Sequence, residues 1–364
     1  MENLPINEVN ARQGQVLDSS ARESMEYDVV IVGGGPAGLA AAIQIKKLSQ
    51  ENNKEVSVCV LEKASEIGAH ILSGAVIDPV AINELIPDWK DLESPIKTKV
   101  SKDKFSFLGK TWSLPIPAFL MPPMMKNHGN YVVSLSNVCK WMGEVAENFG
   151  VEIYPGFSAA EVLFDDSGRV KGVATGDMGV SKDFKAKDSW EPGMELHAKY
   201  TLFAEGARGS LSKFIINHFD LSKDKDHQKF GLGIKELWEI PKEKHNAGLV
   251  EHSFGWPLSD GTTGGSFVYH FDENLVSVGY VVHLSYTNPY VSPFDEFQTF
   301  KTHPSMKKLL TGGKRIAYGA RAIASGGYQS VPKLTFPGGA LIGCSAGFVN
   351  NAKIKGSHNA MATG

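Results

Sequence analysis

The sequence predicts an α/β fold in which a parallel-sheet domain is interrupted by a second, mainly antiparallel domain. Three observations support this prediction: a strand–glycine loop–helix–strand unit near the start, a central region of alternating apolar and aromatic residues, and a second strand-then-glycine pattern near the end. Because the first pattern returns after the central region, the first domain is expected to be discontinuous. The 364 residues are enough for about two domains.

Composition narrows the classes of function. The formal net charge of -3 provides no basic field for nucleic acid, so we exclude nucleic-acid binding. The three cysteines lie far apart, which predicts neither a disulfide framework nor a metal site. No apolar run is long enough for a membrane span, so any membrane contact is expected to be peripheral. Residues 1–25 are predicted to be a polar leader that resembles neither a signal peptide nor a transit peptide.

The first element is a continuous apolar run at residues 27–33, which predicts a buried parallel strand. It leads into a G-x-G-x-x-G loop, a helix, and a second strand at residues 56–62. In this context Gly33 allows the tight turn, Gly35 lets a pyrophosphate approach, and Gly38 lets helix and strand pack closely. Glu62 ends the second strand and is predicted to accept hydrogen bonds from ribose hydroxyls, while repelling the 2′-phosphate of NADP.

Two further segments, residues 201–209 and 341–347, also place glycines directly after an apolar strand. They resemble the second and third flavin-contacting motifs of glutathione-reductase-like and aromatic-hydroxylase flavoproteins. Three such motifs in this order favour noncovalent FAD on a glutathione-reductase-like Rossmann fold. Cys344 stands where those flavoproteins have Asp, so we expect backbone N–H groups of residues 345–347 to hold the flavin instead. The predicted cofactor-binding residues are Gly33, Gly35, Pro36, Ala37, Gly38, Glu62, Lys63, Gly343, Ser345 and Gly347.

The remaining patterns complete the division of the chain. An amphipathic helix is predicted at residues 135–149, and strands are predicted at residues 151–154, 159–164, 170–175, 200–205, 266–271 and 275–282. The FAD-binding domain is expected to comprise residues 26–104, 130–215 and 312–364. The inserted α+β domain with its antiparallel sheet is expected at residues 216–311.

Residues 105–129 form an apolar stretch that contains four prolines. They are predicted to be a membrane-surface segment that dips into one leaflet, with Lys102, Lys104, Lys110 and Lys126 reaching anionic headgroups. The alternative is a proline-rich connection packed on the core.

Several longer runs resemble the electron-transfer flavoprotein–ubiquinone oxidoreductase family. They are residues 66–75, 127–133, 264–270, 313–321, 332–339, 341–348 and 353–361. Cys344 agrees with the pattern of this family, whereas Asn-Asn-Ala at residues 350–352 departs from the expected Asn-Val-Pro.

The resemblance implies that reduced electron-transfer flavoprotein delivers electrons singly and that FAD passes them to ubiquinone at the membrane surface. The inserted domain would then be the quinone-binding domain, with the quinone head group against the backbone of Gly264 and Gly265, because glycine lets a flat ring reach main-chain groups. The family also carries a C-terminal [4Fe–4S] domain, whose four cysteine ligands residues 1–364 do not supply. The implied location is peripheral, on the cytoplasmic face of a bacterial inner membrane or the matrix side of the mitochondrial inner membrane.

No residue is predicted to be catalytic, and none is predicted to bind a metal. Two alternative functions remain open from the sequence. One is an FAD monooxygenase or a geranylgeranyl reductase-like enzyme, because these share the aromatic-hydroxylase architecture. The other is a cluster-free flavoprotein subunit of a larger electron-transfer complex.

Overall fold

The computed structural model describes residue 17, residues 21–72 and residues 74–364, so most of the predicted polar leader lies outside the described residues. The strands are β1 (Ser24–Val32), β2 (Val58–Glu62), β3 (Ala75–Ile77), β4 (Thr98–Lys99), β5 (Lys102–Leu108), β6 (Ser113–Ile116), β7 (Tyr131–Val133), β8 (Glu152–Pro155), β9 (Ala159–Phe164), β10 (Val170–Thr175), β11 (Met178–Val180), β12 (Ala186–Glu191), β13 (Glu195–Phe203), β14 (Phe230–Glu239), β15 (Leu249–Gly255), β16 (Gly264–Phe271), β17 (Leu275–His283), β18 (Lys314–Ala324), β19 (Thr335–Phe336) and β20 (Gly339–Leu341). The α-helices are α1 (Pro36–Glu51), α2 (Val80–Leu85), α3 (Leu135–Asn148), α4 (Ser210–His218), α5 (Pro293–Lys301), α6 (Pro304–Leu310) and α7 (Ser357–Thr363).

The first domain is built on a parallel sheet with the strand order β20–β13–β1–β2–β8. Three antiparallel additions extend it: β19 pairs with β20, and β10 pairs with both β13 and β9. The chain leaves this sheet after β13 and returns to it at β19 and β20, after the second domain. This topology confirms the predicted α/β fold with a discontinuous first domain.

Both faces of the parallel sheet are buried, which explains the continuous apolar run of β1. Ile31 packs with α1 and α3 in one core, whereas its neighbours Val30 and Val32 point into a second core on the opposite face. Because successive side chains of a strand alternate between faces, a strand covered on both sides must be apolar throughout. Full burial of each such side chain contributes about 1.5–3 kcal/mol to folding.

The second domain is a seven-stranded sheet with the order β18–β14–β17–β16–β15–β5–β6. Its neighbouring strands are antiparallel except for the parallel pair β15–β5. One face packs against α5 and α6, where Val278 and Tyr280 contact Phe297 and Phe300. The other face meets the first domain, where Tyr269 packs with Val76 and Val132.

The strand pairing differs from two of the expected domain boundaries. β5 and β6 belong to the second sheet, so residues 102–116 are neither the end of a first-domain segment nor a separate surface segment. β18, which was expected in the first domain, pairs with β14 along ten registered residue pairs. The reason is that both pairings join strands far apart in sequence, and the polar start of β18 carries no alternation that would reveal its partner.

Candidate functional site

The glycine loop after β1 has the close contacts that a dinucleotide fingerprint requires. Gly33 has φ +113°, and a Cβ built there would lie 2.6 Å from the carbonyl oxygen of Ala204. A Cβ on Gly38 would lie 2.0 Å from the carbonyl oxygen of Gly33, so helix and loop touch only because the side chain is absent. A Cβ built on Gly35 would have no neighbouring atom within 4 Å. Gly35 therefore leaves its backbone accessible from the cleft.

The N-terminus of α1 adjoins this loop and has no acidic side chain of its own. Pro36 occupies the first turn and Gly35 is the N-cap, and neither a side-chain cap nor an acidic first-turn residue is present. The first-turn N–H groups of a helix lack intrahelical acceptors, and the helix dipole makes this end positive. Ala37 is buried directly behind the loop. The arrangement is suited to binding a pyrophosphate.

Glu62 lies at the end of β2, directly beside the glycine loop. Its Oε2 accepts a hydrogen bond from the Gly34 N–H at 2.9 Å, and its Oε1 accepts one from the Ala64 N–H at 2.8 Å. These two bonds fix the carboxylate, and each oxygen retains a lone pair for a further donor. The neighbouring Lys63 is exposed at the rim.

The third glycine motif reaches both of the others. A Cβ on Gly343, which has φ +60°, would lie 2.7 Å from the Cβ of Ala37 at the start of α1. The Gly343 N–H donates to Thr363 Oγ1 at 3.0 Å, which ties this turn to α7. Ser345 Oγ donates to the carbonyl oxygen of Gly206 at 3.4 Å, in the second motif. Three segments that are separated by more than a hundred residues therefore pack against one another.

The expectation that residues 345–347 offer free backbone N–H groups is wrong for two of them. The Ala346 N–H donates to Gly343 O at 3.2 Å, and the Gly347 N–H donates to Cys344 O at 3.1 Å. The 3-10 turn at Gly343–Ser345 uses these donors internally. Burial raises the pKa of the Cys344 thiol, so it stays protonated at neutral pH and is a weak donor.

A cavity of about 140 Å³ connects the second and third glycine motifs to the second domain. Its first-domain wall includes Gly206–Gly209 and Cys344–Gly347, and its second-domain wall includes Phe230 and Ala324. Phe230 and Ala324 are partners in the β14–β18 ladder. This cavity therefore opens onto the second sheet.

Two cations on that sheet were missed by the sequence reasoning. Lys235 Nζ donates to the carbonyl oxygens of Leu72 at 2.9 Å and Gly74 at 3.1 Å, and Arg321 Nη2 donates to the carbonyl oxygen of His70 at 3.0 Å. Burial and the nearby Arg321 guanidinium lower the pKa of Lys235 to about 8. The available signal was a lysine in the middle of β14, in line with Gly233 and Leu237 on one face of the strand.

Gly264 and Gly265 begin β16 opposite Val282 and Val281. They point to opposite faces: a Cβ on Gly264 would lie 2.8 Å from Leu258, whereas a Cβ on Gly265 would lie 3.9 Å from the Cβ of Phe254. Gly265 therefore shares the face that is turned to the first domain.

The β15–β16 ladder ends at the pair Ser253–Ser266, immediately before the two glycines. The pairing of β16 with β15 therefore does not extend to the main-chain groups of residues 264 and 265.

The segment at residues 105–129 presents an apolar face to solvent. It consists of the β5–β6 hairpin and two 3-10 helices, Ala118–Leu120 and Pro123–Met125. The most exposed side chains are Trp112 (55%), Leu114 (59%), Phe119 (80%), Leu120 (63%) and Met124 (52%), which we call the apolar face. Lys102, Lys110 and Lys126 are exposed nearby, whereas Lys104 forms an ion pair with Glu251. Among the described residues, no helix has the length and apolar character needed to cross a bilayer.

Comparison with protein families gives two matches. A family model described as "ETF-QO, ubiquinone-binding" matches residues 230–323, and one described as "NAD(P)-binding Rossmann-like domain" matches residues 31–84. The first match spans most of the second sheet, including β18, and the second covers the glycine loop, α1 and β2.

Among solved structures, the fold is similar to a geranylgeranyl bacteriochlorophyll reductase-like protein from Thermoplasma acidophilum. The TM-score is 0.67 at 19% identity, over 93% of this chain and 76% of the other. A flavoprotein/dehydrogenase from Cytophaga hutchinsonii gives a TM-score of 0.62 at 17% identity, over 93% and 76% of the two chains. At these identities the similarity establishes the fold alone.

Closer relatives are found by sequence. The chain is 56% identical over 345 residues to electron transfer flavoprotein-ubiquinone oxidoreductase of Pseudomonas aeruginosa, covering 94% of this chain and 63% of the relative. It is 54% identical over 346 residues to the mitochondrial protein of that name from Homo sapiens, covering 94% and 56%. The chain thus spans less than two thirds of the length of these relatives. Over nearly all of its own length, the chain is therefore similar to the electron transfer flavoprotein-ubiquinone oxidoreductases.

Proposed function

We propose that this chain is the FAD- and quinone-binding part of an oxidoreductase that passes electrons from reduced electron-transfer flavoprotein to ubiquinone at a membrane surface. The observation that carries the proposal is that three glycine motifs pack against one another and that a cavity lined by the second and third of them opens onto the second sheet. A domain that only stabilised a βαβ unit would need the first motif but not the contacts of Gly343 with Ala37 or of Ser345 with Gly206.

The residues around the cleft fit FAD. The proposed FAD pyrophosphate lies at the N-terminus of α1, against Gly33, Gly35, Pro36, Ala37 and Gly38. The proposed ribose partner is Glu62, with Lys63 at the rim, and the ribityl chain passes the turn that contains Gly343, Ser345 and Gly347. When bound, FAD supplies the ability to take up electrons one at a time and hand on two.

The quinone head group is proposed to lie on the first-domain side of β16, against Gly265, with Gly264 contributing main-chain groups. The end of the β15–β16 ladder at Ser253–Ser266 supports this place, because main-chain donors and acceptors beyond it remain available.

Substituting Gly265 would be a poor test, since a Cβ there would lie 2.7 Å from the carbonyl oxygen of Ser253 and would strain the sheet itself. Val281, the ladder partner of Gly265 on the same face, is a better position for adding bulk.

The apolar face is proposed to rest in one leaflet of the membrane. Phe105 and Phe107 continue it across the sheet, because their rings lie 5.8 and 5.3 Å from the ring of Phe254. This aromatic band connects the exposed hairpin with the neighbourhood of Gly265, which supports entry of an isoprenoid tail from the bilayer. The proposed location is peripheral, on the cytoplasmic face of a bacterial inner membrane or the matrix side of the mitochondrial one.

Electron-transfer flavoprotein is the proposed electron donor. The family's [4Fe–4S] cluster is expected outside residues 1–364. Among the described residues there is no group of His, Cys, Asp and Glu side chains arranged to hold a metal ion.

The direct test uses the chain loaded with FAD and reduced by light under argon. Addition of a short-chain ubiquinone should reoxidise the flavin in the absence of oxygen, and the absorbance near 450 nm would follow the reaction. Photoreduction removes any need for the protein donor. Reoxidation by oxygen alone, with the quinone inert, would instead favour the monooxygenase-like alternative.

A further inference from the structure

The sheet face that meets the first domain carries two cations that form no ion pair with a described carboxylate. The hydrogen bonds of Lys235 and Arg321 end on the main-chain carbonyls of His70, Leu72 and Gly74, which follow β2 in the chain. Coulombic repulsion between these two cations is among the causes that lower the pKa of Lys235. A sheet that served packing alone would gain more from an apolar side chain at position 235.

Strand register puts both cations on one face. Lys235 pairs with Gly319, and Arg321 pairs with Gly233, so the two side chains are diagonal neighbours on the side of the sheet that meets the first domain. Two cross-strand partners of Lys235, Gly319 and Gly279, lack side chains. The ammonium therefore reaches the carbonyls of Leu72 and Gly74 with no side chain directly opposite it on either adjacent strand.

Arg321 also lies near the turn that FAD would pass. The cavity beside the turn at Gly343–Ser345 reaches Ala324 at the end of β18, the strand that carries Arg321. The charge of Arg321 acts on the Cys344 thiol of this turn. Arg321 is exposed, so its guanidinium is accessible to a ligand.

We propose that Lys235 and Arg321 form a cationic pair that faces the electron-accepting ring of FAD and makes the bound cofactor easier to reduce. The inference rests on the proposed FAD binding. Reduction adds negative charge to the ring, and a cation within a few ångströms in a partly shielded cleft stabilises that charge. The pair therefore acts on the reduced cofactor more than on the oxidised one.

The test compares FAD-loaded variants by their two-electron midpoint potential, measured against reference dyes. Lys235→Met and Arg321→Met should each weaken the reduction equilibrium about tenfold, which lowers the potential by about 30 mV. Lys235→Arg, which keeps the charge, should stay within about threefold of the parent. The matched control is Lys314→Met, which removes the same charge from the exposed start of β18, roughly 20 Å from Arg321.

A second readout uses sulfite, an anion that adds to flavins and binds more tightly where positive charge surrounds the ring. Its dissociation constant should rise about tenfold in the Lys235→Met and Arg321→Met variants and remain unchanged in Lys314→Met. If Lys235→Met fails to fold, the exposed Arg321 still allows the test.

The outcomes separate this inference from the proposed function. A parent chain that binds no FAD would contradict the proposed function itself. A parent that binds FAD, with potentials of the Lys235→Met and Arg321→Met variants equal to that of Lys314→Met, would overturn only the cationic pair. Loss of FAD affinity without a change in potential would also overturn it, because Lys235 would then only anchor the backbone at Leu72 and Gly74.

Discussion

Replacing Glu62 with Ala should weaken FAD binding by an amount that the structure lets us estimate. The carboxylate is fixed by the N–H groups of Gly34 and Ala64 at 2.9 and 2.8 Å, so its remaining lone pairs hold one orientation. A hydrogen bond to a charged acceptor contributes about 1.5–3 kcal/mol, which corresponds to a roughly ten- to hundredfold change in the dissociation constant. We expect the Ala variant to fall in this range.

Glu62→Gln should be intermediate, for a reason visible only in the structure. Both carboxylate oxygens accept backbone N–H groups, but an amide has one oxygen and one NH₂. The amide oxygen can accept a hydrogen bond from the N–H of Gly34 or from that of Ala64, but not from both in this geometry. The amide NH₂ then faces the other N–H, and because both groups are donors they cannot form a hydrogen bond. We expect a loss of about tenfold rather than the near-neutral exchange that side-chain chemistry alone suggests.

The assay is a fluorescence titration of the apoprotein with FAD. The matched control is Glu66→Gln, because Glu66 is an exposed carboxylate of the same segment whose partner, Lys140, lies 3.4 Å away at the surface. The control should retain the parent affinity, since surface substitutions of this kind change little. Undiminished FAD affinity in both Glu62 variants would remove Glu62 from the site and refute the reasoning.

Three further predictions concern the cofactor, the membrane and the quinone. Acid precipitation should release the yellow colour into the supernatant, and flavin that stays with the pellet would contradict noncovalent binding. Phe119→Asp/Leu120→Asp should reduce binding to anionic vesicles at least about tenfold while reduction of a soluble short-chain quinone continues. Met178→Asp/Phe184→Asp, which changes two exposed residues of the β11–β12 hairpin, should bind vesicles normally; equal losses in both double variants would refute the membrane face. Val281→Phe should keep its flavin spectrum and vesicle binding but lose quinone reduction, and normal turnover would place the quinone elsewhere.

The parallel domain could be predicted closely because its signals are local. The apolar run of β1, the glycine spacing and the carboxylate of Glu62 lie within forty residues, and each has one physical reason. The motifs containing Gly206 and Gly343 were also found from local patterns. Their contacts with each other and with Ala37 depend on the order of the strands in the sheet, which local sequence patterns do not reveal.

Long-range pairing explains the errors. β5 reads as part of a proline-rich surface stretch, yet it pairs in parallel with β15, about 150 residues later. β18 starts with Lys314 and Arg315 and was expected in the first domain, yet it forms an edge of the second sheet. Lys235 was overlooked for the same reason, since its partners at Leu72 and Gly74 are 163 and 161 residues away.

The measurement that tests the central claim most directly is a crystal structure of the chain with FAD bound. We predict that the adenosine ribose contacts Glu62 and that the pyrophosphate lies at the N-terminus of α1. The flavin ring should lie beyond the turn at Gly343–Ser345, on the side of Lys235 and Arg321. A flavin ring bound away from this cleft, or FAD held without contact to the third glycine motif, would contradict the account.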